Sequence, residues 1–154
     1  MDKINLDIPG IKQCQQNRHP LLFIDKIVNT TPGKEANSIK CFSYNEWFFP
    51  AHFKDDPSVP GFILVESMVQ TFIMTFLTLK EHKGKKTNFI SINNVKFKKM
   101  VIPGDVLKIN SKLLSFKRGI AKGIAEGSVD DNLACKAEFT VCLPDVLSNL
   151  KPKS

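Results

Sequence analysis

The sequence offers few of the side chains that hold metals or cross-link a scaffold. Its four cysteines, Cys14, Cys41, Cys135 and Cys142, form no Cys-x-x-Cys pair, and histidine occurs only three times in 154 residues. That excludes a zinc-finger spacing and gives no disulfide framework, so free thiols in a reducing compartment are expected. No metal and no organic cofactor is signalled. Internal repeats, low-complexity stretches and linkers are absent too, and the length favours a single domain over 1–154 with one core. The opening MDKINLDIPG lacks the apolar run of a secretory signal, which points to the cytoplasm. The last four residues, 151–154, are expected to be a loose tail.

Acidic residues are outnumbered, 15 against 22 basic ones, for a net charge of +7. Such an excess favours nucleic acid, an anionic membrane or an acidic carrier protein, or it serves solubility alone. The lysines are spread widely, with local groups at Lys83, Lys85 and Lys86, at Lys96, Lys98 and Lys99, and at Lys117 with Arg118. No nucleic-acid motif accompanies them, so nucleic acid is not expected as a partner.

What is present is one long apolar segment among alternating ones. GFILVESMVQTFIMTFLTLK, residues 61–80, contains no proline and is apolar on nearly every side. Its length favours a helix, and Glu66, Ser67, Gln70, Thr71, Thr75 and Thr78 argue for a buried central helix over a membrane span. Pro60 suits the helix start, Ser58 the N-cap, Lys80, His82 and Lys83 the negative end of the dipole, and Gly84 the stop. Residues 21–29 and 35–43 read as strands around a turn at 31–34. Residues 88–98, 106–116, 120–129 and 133–143 alternate as strands, with turns at 103–105, 117–119 and 130–132. The expected fold is α+β: about five or six antiparallel strands wrapped around one helix.

Residues 44–60 form a long connection rich in proline and in aromatics, Trp47, Phe48, Phe49 and Phe53. Long ordered loops are often functional. His52 lies on it, and an ordinary imidazole titrates near neutrality, which suits a general base; the structural alternative is a histidine packed among aromatics. Glu66 falls in the most apolar segment. It marks either the helix's wet side, bonded to Gln70 four residues on, or a carboxylate in a dry pocket, where the protonated form is favoured for acid chemistry. Gly61 would leave a bare backbone N–H at the positive end of the helix, able to polarise a carbonyl. Base, acid and oxyanion donor then come from one stretch of 15 residues. That set suits loss of water from a 3-hydroxyacyl thioester, which needs a base at C2, an acid at the 3-hydroxyl and a donor for the enolate-like oxygen.

These residues stand in a recognisable order. ArgHisPro (18–20) precedes LeuLeuPheIleAspLys (21–26); AlaHisPhe (51–53) precedes ProSerValProGly (57–61), then GluSerMetValGln (66–70); AsnValLysPheLysLysMetValIleProGlyAsp (94–105) follows. Over nearly its whole length the chain resembles the hot-dog-fold (3R)-3-hydroxyacyl-[acyl-carrier-protein] dehydratases. The resemblance implies a sheet wrapped on a central helix, and homodimers, alone or as trimers of dimers, whose active sites are shared between subunits. It implies His52 as base, Glu66 as acid, the Gly61 amide on the thioester carbonyl and Gln70 orienting the acid, with Phe53 and Phe62 bordering the substrate. It implies acidic acyl carrier protein as partner, and a product that is a trans-2-enoyl thioester. Ala51 departs from the family's usual glycine. Phe62 is bulkier than the expected aliphatic residue. The stretch around TrpPhePhe and HisPheLysAspAspPro is similar to the isomerising branch, but that branch carries Asp where this chain has Glu66. A hot-dog thioesterase, or a non-catalytic subunit that binds acyl carrier protein, would use the same fold without this chemistry.

Overall fold

Residues 2–149 are described by a computed structural model, and the expected tail at 151–154 lies outside them. The apolar segment forms α2, Gly61–Leu77, and thirteen of its side chains are buried. Around it bends a sheet of seven antiparallel strands in the order β1-β2-β3-β5-β6-β7-β4. These are β1 (Ile4–Leu6), β2 (Lys26–Thr30), β3 (Glu35–Cys41), β4 (Asn88–Phe97), β5 (Val106–Lys117), β6 (Ile120–Val129) and β7 (Asn132–Cys142), with short helices α1 (Ile8–Cys14) and α3 (Pro144–Asn149) at the two ends. The result is α+β, a sheet wrapped on a helix, as the patterning implies.

Period-two alternation puts Leu107, Ile109 and Ser111 of β5 and Ala121, Ala125 and Val129 of β6 on the buried face. α2 lies against β3, β5, β6 and β7. Close approach needs small residues on the sheet. A Cβ on Gly123 of β6 would collide with the ring of Phe72, so glycine there lets that ring seat on the strand. Phe72 also stacks on Phe139 of β7, ring centroids 6.0 Å apart. A buried hydroxyl pair fixes the helix to β3. The Thr71 hydroxyl donates to the Ser67 carbonyl at 2.8 Å, so Ser38 is the donor in its 2.6 Å contact with Thr71.

Several details differ from the sequence reading. The strands number seven, because the three-residue β1 and its neighbour α1 carry no usable periodicity. The strand expected at 21–29 starts only at Lys26. The helix stops at Leu77 with Thr78 as its cap, and Lys80, His82 and Lys83 lie in the turns that follow. Those turns dock on α1, where the Gly84 N–H donates to the Cys14 carbonyl at 2.8 Å. Pro60, not Ser58, is the N-cap, and it supplies no side-chain bond. No helix among the described residues is long and apolar enough to cross a membrane.

Candidate active site

After β3 the chain runs through the aromatic loop, and a buried charge fixes its path. The Lys40 ammonium is nearly inaccessible. It donates to Glu46 Oε1 at 2.7 Å and lies 3.6 Å from Asp25 Oδ2. The Glu46 carbonyl in turn accepts from the Phe49 N–H at the start of a single 3-10 turn, Phe49–Ala51. Phe48 and Phe49 are buried, their centroids 4.8 Å apart, and Phe48 also meets Phe42 edge to face. The 3-10 turn closes with the His52 N–H on the Phe49 carbonyl.

His52 is thereby held at a half-buried position. Its Nδ1 lies 3.0 Å from the Ser58 carbonyl oxygen and 3.3 Å from the Ser58 hydroxyl. A carbonyl only accepts, so the neutral ring carries its proton on Nδ1 and leaves Nε2 with a free lone pair. Ser58, expected as a helix cap, instead orients the imidazole. The ring stacks on Phe53 at 4.2 Å; Phe53 itself is exposed, as is Phe62 on the first turn of α2.

Gly61 is the first residue of α2, so its N–H has no acceptor within the helix. Phe97 of β4 lies over it: a Cβ at Gly61 would come within 3.0 Å of the ring's Cζ. Gly61, Phe97, Lys98, Lys99 and Met100 border a cleft of about 360 Å³.

Glu66 follows five residues later, about 7.5 Å along the helix axis. Its Oε1 accepts from Gln70 Nε2 at 2.9 Å. The second Nε2 hydrogen goes to the Leu21 carbonyl at 2.7 Å, and Gln70 Oε1 accepts from the Phe23 N–H at 2.7 Å. The amide of Gln70 is therefore fully used, and it is wholly buried. Since Oε1 of Glu66 is an acceptor, a proton on this carboxyl sits on Oε2. Glu66 is half-buried in the single chain, not sealed in a dry pocket. Among the described residues His52 bonds to Ser58 and Glu66 to Gln70, and the two are not bonded to each other. The contribution of Leu21, Phe23 and Lys40 was not legible in the sequence, because each acts through partners that only the fold supplies. Burial pushes the Cys135 thiol up to about 11 and the Cys14 thiol upward as well, which disfavours the reactive thiolate of both.

A sheet wrapped on a central helix, with a bare amide at the helix start and a carboxyl held by Gln70 further along it, is a hot-dog domain, and the loop before the helix carries a histidine held by Ser58. Residues 16–138 match the model of the FabA-like domain, and the chain belongs to that family. It is 39% identical over 140 residues to the 3-hydroxyacyl-[acyl-carrier-protein] dehydratase FabZ of Chloroflexus aggregans, covering 91% of this chain and 97% of that one. To the protein of the same name from Staphylococcus epidermidis it is 40% identical over 139 residues, 90% of this chain and 96% of that one. Among solved structures, the dehydratase heterocomplex ApeI:P from Xenorhabdus doucetiae superposes with a TM-score of 0.76 at 17% identity, over 93% of this chain and 97% of that chain. The PaaI protein of E. coli gives a TM-score of 0.59 at 9% identity, over 75% of this chain and 80% of that one. These two share the fold.

Proposed function

We propose that this chain dehydrates (3R)-3-hydroxyacyl thioesters on acyl carrier protein to trans-2-enoyl thioesters, in fatty-acid synthesis or a related lipid or polyketide pathway, with His52 as base and Glu66 as acid. The chain is a hydro-lyase of the 3-hydroxyacyl-[acyl-carrier-protein] dehydratase type. The observation that carries the residue assignment is the pair of oriented groups: His52 is held through Nδ1 at the Ser58 carbonyl, which leaves Nε2 free, and Glu66 is held through Oε1 by Gln70, which leaves Oε2 free. His52 Nε2 removes a C2 proton. Negative charge develops on the thioester oxygen, where the Gly61 N–H and the positive end of α2 stabilise it. The C2–C3 double bond forms as the C3–O bond breaks, and Glu66 Oε2 gives its proton to the departing hydroxyl, which leaves as water. Gln70 holds the carboxyl in place. Phe53 and Phe62 border the approach.

The carrier is acidic in this reading, and the exposed Lys98 and Lys99 beside the Gly61 cleft suit it. The four cysteines are free, which fits a reducing cytoplasm. The working unit is a homodimer with shared sites. β4 ends the sheet and pairs only with β7 among the described residues, yet it is ten residues long and exposes Phe89, Ile90, Ile92 and Phe97. Long apolar edges aggregate unless covered, and a second copy across a two-fold axis covers this one.

The test is dehydration of a short 3-hydroxyacyl-carrier thioester, followed by mass spectrometry for loss of water. Wild type loses water; Glu66→Gln and His52→Ala each fall by about a thousandfold, the scale of a lost general acid or base with its positioning. Near-normal turnover by either variant removes the role assigned to that residue.

A further inference from the structure

The ArgHisPro motif at 18–20 takes no part in the proton transfers, yet it stands between α1 and the two backbone groups that hold Gln70. Arg18 Nη1 donates to the Gln15 carbonyl at 2.7 Å and to the Asn17 carbonyl at 2.8 Å, and Nη2 donates to the Lys12 carbonyl at 2.8 Å. Among the described residues no carboxylate reaches the guanidinium. Its donors go to main chain alone. The Lys12 carbonyl is one that the end of α1 leaves without a helical partner, and the other two lie where the chain turns away from the helix.

The connection that follows is thinly held. From residue 16 to residue 24 there is no strand ladder. The main-chain bonds of this stretch, among the described residues, are the Asn17 carbonyl on Arg18, the Leu21 N–H on the Arg18 carbonyl at 2.7 Å, and the Leu21 carbonyl and Phe23 N–H on Gln70, each at 2.7 Å. Phe23 and Ile24 are buried and fix the far end by packing. Leu21 is not: its side chain is 57% exposed, so packing does not aim its carbonyl at the Gln70 amide. That amide orients Glu66. Asn17, on the segment that Arg18 ties down, borders the same cleft as Glu66 and Gln70.

We infer that Arg18 is a positioning residue for the acid: its fork fixes the end of α1 and the turn to Leu21, which aims the Leu21 carbonyl at Gln70 and so holds Glu66 in place. The inference rests on the reading of Glu66 as acid. Lysine does not reproduce the fork, because an ammonium is a point charge on a flexible stem and does not span three carbonyls in fixed geometry.

The experiment is a double-mutant cycle on dehydration of one short 3-hydroxyacyl-carrier substrate, with stability followed by denaturant unfolding and rates taken well below the melting temperature. Arg18→Ala should lower kcat about fivefold and leave KM within about twofold of wild type, since the misaimed group acts in the chemical step. Gln70→Ala already cuts the relay, so adding Arg18→Ala to it should change kcat by less than about twofold. Arg18→Lys should recover only part of kcat, and it takes the place of Arg18→Ala in the cycle if that variant does not fold. A residue that merely props up α1 lowers the denaturation midpoint and leaves kcat at its wild-type value, and that result overturns the inference. Losses that multiply across the cycle overturn it too, because they place Arg18 outside the Gln70 relay, as does full recovery of kcat in Arg18→Lys. A folded wild type that removes no water from the substrate brings down the assignment of Glu66 itself, an outcome told apart from the others because it needs no variant.

Discussion

Gln70 is the residue with the least freedom in the site. Its amide carbonyl takes the Phe23 N–H, and its two amide hydrogens take the Leu21 carbonyl and Glu66. Replacing it with alanine leaves a backbone donor and a backbone acceptor unpaired in the interior, each a loss of about 1–3 kcal/mol. Gln70→Ala should therefore lower the denaturation midpoint at an unchanged denaturant slope, and lower kcat about tenfold as Glu66 loses its orientation. A variant as stable and active as wild type would show that the amide is not the clamp. The Glu66–Gln70 half of this arrangement is legible in the sequence, because residues four apart on a helix share a face. The other half is not, since Leu21 and Phe23 lie 49 and 47 residues away and meet Gln70 only once the segment before β2 is laid across α2.

The same division appears among the elements. α2 is readable from its length, its all-round apolarity and its freedom from proline, and the four long strands from their alternation between turn residues. The hairpin turns follow their sequence signals, with Arg118 and Gly119 both at positive φ between β5 and β6. The loop at 44–60 could be read only as a loop, since its order comes from a lysine outside it. Lys40 is on β3, and its part-buried bond to Glu46 fixes the turn that leads through Phe49 to His52. The pair is part-buried and both carboxylates still reach water, so removing Lys40 costs less than breaking a fully buried pair, about 1–2 kcal/mol. Lys40→Met should show that loss in denaturant unfolding. Measured well below its melting temperature, it should also lower kcat more than it raises KM, because the misplaced group is the base and not the binding surface. Lys40→Arg, which keeps the charge, should recover part of kcat. A wild-type kcat in Lys40→Met would show that the loop holds His52 without the ion pair.

At the scale of the molecule, the question is whether one chain suffices. His52 and Glu66 make separate bonds within the chain, and β4 exposes apolar side chains along an edge that has a strand on one side only. If sites are shared across a two-fold dimer, each site takes its histidine from one copy and its glutamate from the other. The consequence is a rescue by mixing. His52→Ala and Glu66→Gln homodimers are each inactive. Refolded together, half of the dimers are mixed, and each mixed dimer has one site with both functional side chains and one with neither. Turnover of the mixture should return to about a quarter of the wild-type rate per chain, from that statistical pairing. A site built within one chain gives no such recovery, because every chain in the mixture lacks one of the two groups. The mixed rate thus distinguishes a site completed across the β4 edge from one that a single chain contains.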